Sequence, residues 1–192
     1  MISFLAYILI INLGILKVNK NCIICPAKCD LFVYHETIIL VINMYKERLK
    51  AIRERNGLTQ TDLANLLNID RSQYGKYENE YTTIQIKHLN TLCNYFQVSL
   101  DYIFNFSDIK QYKDAQDEIN KVESGKRLKV FRKEYKITQT KLANFLSTSF
   151  SNISAYERGI NILSTTYLYA ICKKYHISAD YLLGKINDPS FL

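Results

Sequence analysis

One unit occurs twice in this chain, in the same register. RLKAIRERNGLTQTDLANLL begins at Arg48 and RLKVFRKEYKITQTKLANFL begins at Arg127, an offset of 79 residues. The offset holds without insertion through Arg53/Arg132, Thr59/Thr138, Gln60/Gln139, Leu63/Leu142, Ala64/Ala143, Ser72/Ser151, Tyr77/Tyr156, Glu78/Glu157, Cys93/Cys172, Asp101/Asp180 and Tyr102/Tyr181. Repetition at a fixed period marks two copies of one supersecondary unit, so the 192 residues divide into at least two domains. A unit of about sixty residues lies near the lower limit for a self-standing core, which demands tight packing.

Lys and Arg number 25 against 18 Asp and Glu, a net charge of +7 that suits a polyanionic partner. Of the five Cys, three (Cys22, Cys25, Cys29) crowd together outside the repeats, which is no secreted disulfide framework. Cys93 and Cys172 occupy equivalent sites and read as small buried apolar residues of a reducing, cytoplasmic compartment. Neither repeat carries metal-ligand spacing, a Gly-rich phosphate loop or a paired acid and base. The expectation is a non-enzymatic chain with no cofactor, no metal and no small-molecule substrate.

Residues 1–43 differ from the rest. MISFLAYILIINLGIL is almost wholly apolar and is followed by KVNKNCIICPAKC and the run TIILVIN. No basic residue precedes the apolar run, which argues against a signal peptide. Three readings stay open: a membrane anchor, an extra packed helix, or a translation start at Met44, the reading that fits best. Ile2–Leu16 falls short of the ~20 residues a spanning helix needs. A membrane partner follows only if this segment is translated and inserts. Cys22, Cys25 and Cys29 with His35 resemble a four-ligand metal set, but unpaired thiols explain them more simply.

Each repeat, spanning 45–105 and 125–184, reads as five helices. In the second they fall at Lys126–Tyr135, around Gln139–Leu146, Phe150–Arg158, Thr165–Tyr175 and Ala179–Leu183; in the first at Lys46–Arg55, Gln60–Leu67, Arg71–Asn79, Ile84–Phe96 and Leu100–Phe104. Thr59 and Thr138 stand where N-caps belong. Residues 106–124 lack Pro and Gly, and Ile109, Tyr112, Ala115, Ile119 and Val122 recur at spacings of three and four, which predicts a helical linker. Residues 185–192 form a tail. The fold class is all-α: two tandem five-helix units joined by a helical linker.

A short second helix, a tight turn and a third helix with an outward N-terminus are the parts of a helix-turn-helix. TQTDLANLLNIDRSQYGKYENE and TQTKLANFLSTSFSNISAYERGIN resemble the Cro/CI-type (Xre-type) helix-turn-helix family of phage and bacterial repressors. The resemblance covers both repeats and implies lambda-repressor-like domains. It implies that the third helix lies in the major groove and reads bases through Arg71, Ser72, Gln73 and Lys76 in the first copy and Phe150, Ser151, Asn152 and Ala155 in the second. It implies phosphate contacts from Thr59, Gln60 and Asn79, and from Thr138, Gln139, Arg158 and Asn161. It also makes Arg53–Glu78 and Arg132–Glu157 internal salt bridges; Tyr77, Tyr156, Tyr102 and Tyr181 read as core residues on general grounds.

The copies depart from the family pattern in different places. Arg71, Gln73 and Lys76 are better base readers than Phe150 and Ala155, which can only meet a thymine methyl. The second copy has the better phosphate turn, with Arg158, Gly159 and Asn161, where the first has Asn79, Glu80 and Tyr81. Asn68 and Ser147 replace the usual Gly between the two helices, and a strained Ser147 predicts an altered turn in the second copy. The implied function is a sequence-specific transcription regulator, a repressor of phage or mobile-element type, acting on double-stranded DNA as a one-chain pseudo-dimer over an asymmetric operator. The alternative makes the second repeat a protein-interaction or dimerisation module, with a homodimer or protein partner held through that repeat or the linker.

Overall fold

Side-chain caps decide where most of the helices begin. The computed structural model describes residues 45–79 and 82–190, and these form ten α-helices and no strand. The first repeat holds α1 (residues 45–55), α2 (Gln60–Leu66), α3 (Arg71–Glu78), α4 (Ile86–Phe96) and α5 (Leu100–Ile103). The second holds α6 (Lys121–Glu134), α7 (Gln139–Phe145), α8 (Phe150–Glu157), α9 (Thr165–Tyr175) and α10 (Ala179–Leu182). Thr59, Ser99, Asn120, Thr138, Ser149, Ser164 and Ser178 each accept a backbone N–H of the first turn, worth about 1 kcal/mol apiece.

The repeat is visible in the backbone as well as in the side chains. Left-handed residues recur at the same offset of 79: Gly57 and Lys136, Asn68 and Ser147, Gln97 and His176, Asn105 and Gly184. The two inter-helix turns are therefore alike, at φ 53° for Asn68 and 49° for Ser147. The altered turn predicted for the second copy does not occur. The Ile69 and Thr148 amides close onto Ala64 O and Ala143 O in the same way, so packing imposes the turn on a residue that does not favour it.

Buried Leu63, Leu67, Tyr77, Leu89, Leu92 and Cys93 fill the first core; Leu142, Leu146, Ile153, Leu168, Ile171 and Cys172 fill the second. Both thiols are fully buried, and burial pushes them well above their usual range. Tyr156, Tyr102 and Tyr181 are only half-buried against the core, unlike Tyr77. Tyr102 and Tyr181 instead carry the guanidinium groups of Arg48 and Arg127 over their rings, at 4.4 and 4.5 Å.

The linker is not helical. Residues 106–120 run as turns and irregular chain, and α6 starts at Lys121, five residues earlier than the pattern predicts. Tertiary partners displace the helix. Asp117 O accepts from Asn90 Nδ2 (2.8 Å) and Asn94 Nδ2 (2.6 Å), Gln116 N donates to Lys185 O (2.8 Å), and Tyr112 Oη donates to Asp101 Oδ2 (3.0 Å). Asn120 then caps α6 through the Glu123 amide, and Val122, a member of the predicted apolar stripe, is left exposed.

The repeats pack through their fifth helices by a reciprocal exchange. Asp101 Oδ1 accepts from Ala179 N (2.7 Å) at the start of α10, and Asp180 Oδ2 accepts from Asp101 N (2.9 Å) at the start of α5. Ser178 Oγ also donates to Asp101 Oδ2. Thr165 Oγ1 donates to Ile84 O (2.6 Å), and Phe104 meets Tyr169 edge-on at 5.4 Å between ring centres.

The three readings of residues 1–43, with Cys22, Cys25, Cys29 and His35, and the comparison at Glu80 and Tyr81, fall outside the described residues. Among the described residues no helix is long and apolar enough to cross a membrane.

Desolvation pushes Asp180 up to about 7, aided by the Asp101 charge, and desolvation also raises Asp101 above its ordinary 3.8. Through this pair the folded chain holds protons that the unfolded chain has lost between about pH 4 and about pH 7, so the contribution of the pair to stability falls as pH rises through that interval. Thermal melting should show the midpoint climbing as pH is lowered from about 8 to about 5.5, with a flatter dependence in Asp180→Asn. An equal slope in the variant would remove the aspartate pair as the cause.

Candidate nucleic-acid interface

In each copy a buried ion pair ties the first helix to the third. Arg53 Nε donates to Glu78 Oε1 (2.7 Å) and Nη2 to Oε2 (3.0 Å), while Nη1 donates to Leu58 O (2.9 Å). Arg132 repeats the pattern with both oxygens of Glu157 and with Ile137 O (2.9 Å). Burial works to raise Glu78, but its bonds to Arg53 and Gln60 outweigh this and hold the carboxyl below its usual value. Its hydrogen bond to Glu78 raises Arg53 further.

The glutamines assigned to phosphate also belong to this cluster. Gln60 Nε2 donates to Glu78 Oε2 (2.9 Å), and Gln139 Nε2 donates to Glu157 Oε2 (2.7 Å). The glutamate thus sets the orientation of an amide at the start of the second helix. The signal was present in the chain, since the Gln–Glu spacing of 18 is the same in both copies.

Thr59 and Asp62 form a capping box: Thr59 N donates to Asp62 Oδ2 (2.7 Å), Asp62 N donates to Thr59 Oγ1 (3.2 Å), and the Thr59 hydroxyl also donates to Asp62 Oδ2 (2.7 Å). These bonds hold the Asp62 carboxyl below its ordinary range. A fixed anion thus lies beside the first copy's predicted phosphate contact. In the second copy Lys141 occupies that position, its amide capped by Thr138 (3.1 Å).

On α3, Arg71, Ser72 and Lys76 are exposed and Gln73 is half-buried. Arg71, Ser72 and Lys76 share a shallow depression with Gln60, Gly75 and Asn79, so five of the predicted contact residues are brought together. Gln60 Oε1 lies 3.6 Å from where a Cβ on Gly75 would stand. On α8, Ser151 and Asn152 are exposed, Ala155 is half-buried and Phe150 is 53% exposed. Asn152 Nδ2 donates to Thr148 Oγ1 (2.9 Å), which ties part of that amide to the turn. Arg158 and Asn161 are exposed after α8, and Arg158 Nε donates to Ser154 O (3.3 Å). Close packing supports this turn: a Cβ on Gly125 would lie 2.5 Å from Tyr156 O, so only glycine lets α6 run so near the end of α8.

Tyr74, on the inner side of α3, was not anticipated. It is 1% exposed, lies beside Glu78 outside hydrogen-bond geometry, and its hydroxyl has no partner among the described residues. The equivalent residue of the second copy is buried Ile153.

A family model described as helix-turn-helix matches residues 49–103 and again 128–182. The chain is similar to the uncharacterized HTH-type transcriptional regulator YobD of Bacillus subtilis strain 168, with 37% identity over 65 residues covering 34% of this chain and 58% of that protein. It is similar to the HTH-type transcriptional regulator ImmR of the same organism, with 33% identity over 75 residues covering 39% and 58%. A third relative there is the SPbeta prophage-derived uncharacterized HTH-type transcriptional regulator YonR, with 40% identity over 60 residues covering 31% and 56%. The chain spans a little over half the length of these curated relatives. No solved structure matches it significantly.

Removing one partner of the buried pair strands a charge, so Arg53→Met should destabilise by about 3–5 kcal/mol in urea unfolding. Tyr74→Phe should leave stability unchanged or raise it by up to about 1 kcal/mol, because it deletes an unpaired buried hydroxyl. A loss above about 1 kcal/mol would show that the hydroxyl has a partner after all.

Proposed function

We propose, from the premise that this chain belongs to the Cro/CI-type (Xre-type) helix-turn-helix family, that it binds double-stranded DNA sequence-specifically and regulates transcription from the cytoplasm. Membership rests on two family matches that together cover more than half of the chain. The observation that carries the reading is the α3 surface, where Arg71, Ser72 and Lys76 stand in one depression with Gln60 and Asn79. Arg71 and Lys76 supply donors for guanine, Gln73 an amide for adenine, and Gln60 and Asn79 polar groups for the flanking phosphates. The net charge of +7 favours the same partner.

The second copy is the weaker base reader in this proposal. Phe150 and Ala155 contact thymine methyls, Asn152 offers what its bond to Thr148 leaves, and Arg158, Asn161, Thr138 and Gln139 hold phosphate. The prophage origin in the name of YonR supports a repressor of mobile-element type. A second reading has one observation in its favour: an exposed phenylalanine at the head of α8 suits a protein partner as well as a base edge.

Selection from randomised DNA should enrich a site with unlike halves. Arg71→Ala and Lys76→Ala should each cost about 1–3 kcal/mol and relax preference within one half. Enrichment of nothing by a folded helical protein would sink the DNA reading. Arg158→Ala should lower the salt slope of binding by about 0.9. An unchanged slope would move the second repeat from DNA to a protein partner.

A further inference from the structure

We infer that one molecule of this chain occupies its operator alone and accepts a single separation between the two half-sites. This rests on the DNA-binding reading above and adds stoichiometry and spacing to it. The Asp101 and Asp180 exchange is self-complementary: each carboxylate lies on the amide start of the other repeat's fifth helix. Such reciprocity is the signature of a two-fold relation, here between unlike halves of one chain.

Away from that centre the two sides differ in a way that selects this pairing. On one side Phe106 and Phe104 pack on Tyr169, with ring centres 5.0 and 5.4 Å apart. On the other side Lys185, which occupies the position equivalent to Phe106, is 4% exposed and donates to Asn90 Oδ1 (2.6 Å) and Asn94 Oδ1 (2.9 Å). Asn90 and Asn94 are the equivalents of Tyr169 and Lys173. A first copy paired with another first copy would set Phe106 against Asn90. Two second copies would bury Lys185 against Tyr169 and Lys173, a cation facing a cation. Only unlike copies place the amine on acceptors and the rings on rings.

The linker closes the pairing within the chain. Asn90 and Asn94 both donate to Asp117 O, Gln116 N donates to Lys185 O, and Asn120 N donates to Leu183 O. It is stitched to both repeats and is no slack tether. The two third helices are therefore held in one relation, and the DNA must present its half-sites to match.

The test uses the full chain and the selected site, with five or ten base pairs inserted between the halves. Five pairs turn the second half to the opposite face of the duplex; ten return it to the same face one turn, about 34 Å, further away. Both inserts should lower affinity to that of a single half-site, a loss on the order of 10²–10⁴-fold, with one chain per duplex by light scattering. Recovery with ten pairs, two chains per duplex, or a selected site of one half only would overturn this proposal while leaving DNA binding intact. No selected site at all would overturn both.

Discussion

Two buried carboxylates join one repeat to the other. Asp101 and Asp180 each leave water to satisfy the amides that open the partner repeat's last helix. A lone buried carboxylate is costly, and here helix-end amides, the Ser178 and Tyr112 hydroxyls and the nearby Lys185 amine offset part of that cost, while desolvation still raises both aspartates. Without that exchange the fully buried faces around Leu100, Ile103, Ala179 and Leu182 would have less to fix their register.

A second ionic device works inside each repeat. The Arg–Glu pair joins the first and third helices and, through Gln60 or Gln139, the start of the second. The scaffold is thus the same in both copies, while the outer residues diverge. Asp62 opposes Lys141, Lys76 opposes Ala155, and Arg71 opposes Phe150. Divergence also reaches buried positions, where Tyr74 opposes Ile153, Asn90 opposes Tyr169 and Phe106 opposes Lys185.

Much of this was legible in the chain because its signals are local or duplicated. N-caps at Thr59 and Thr138 and an apolar period of 3.6 act over a few residues, so the helices follow from the residues themselves. The joint assignment of Gln60 and Gln139 was harder, since both a phosphate and a carboxylate suit the same amide. Ser147 misled because its own backbone preference opposes a turn that Leu142, Ala143 and Leu146 impose by packing.

The amino-acid sequence by itself determined that there are two copies and that each is a helix-turn-helix unit, because those properties depend on spacing within about four residues and on repetition at 79. Only the tertiary structure decided what the linker does and how the copies meet. An apolar spacing of three and four over 106–124 is compatible with a helix, but Asn90, Asn94, Lys185 and Asp101 offer its polar groups better partners from far along the chain. No local pattern encodes a competition settled by groups tens of residues apart.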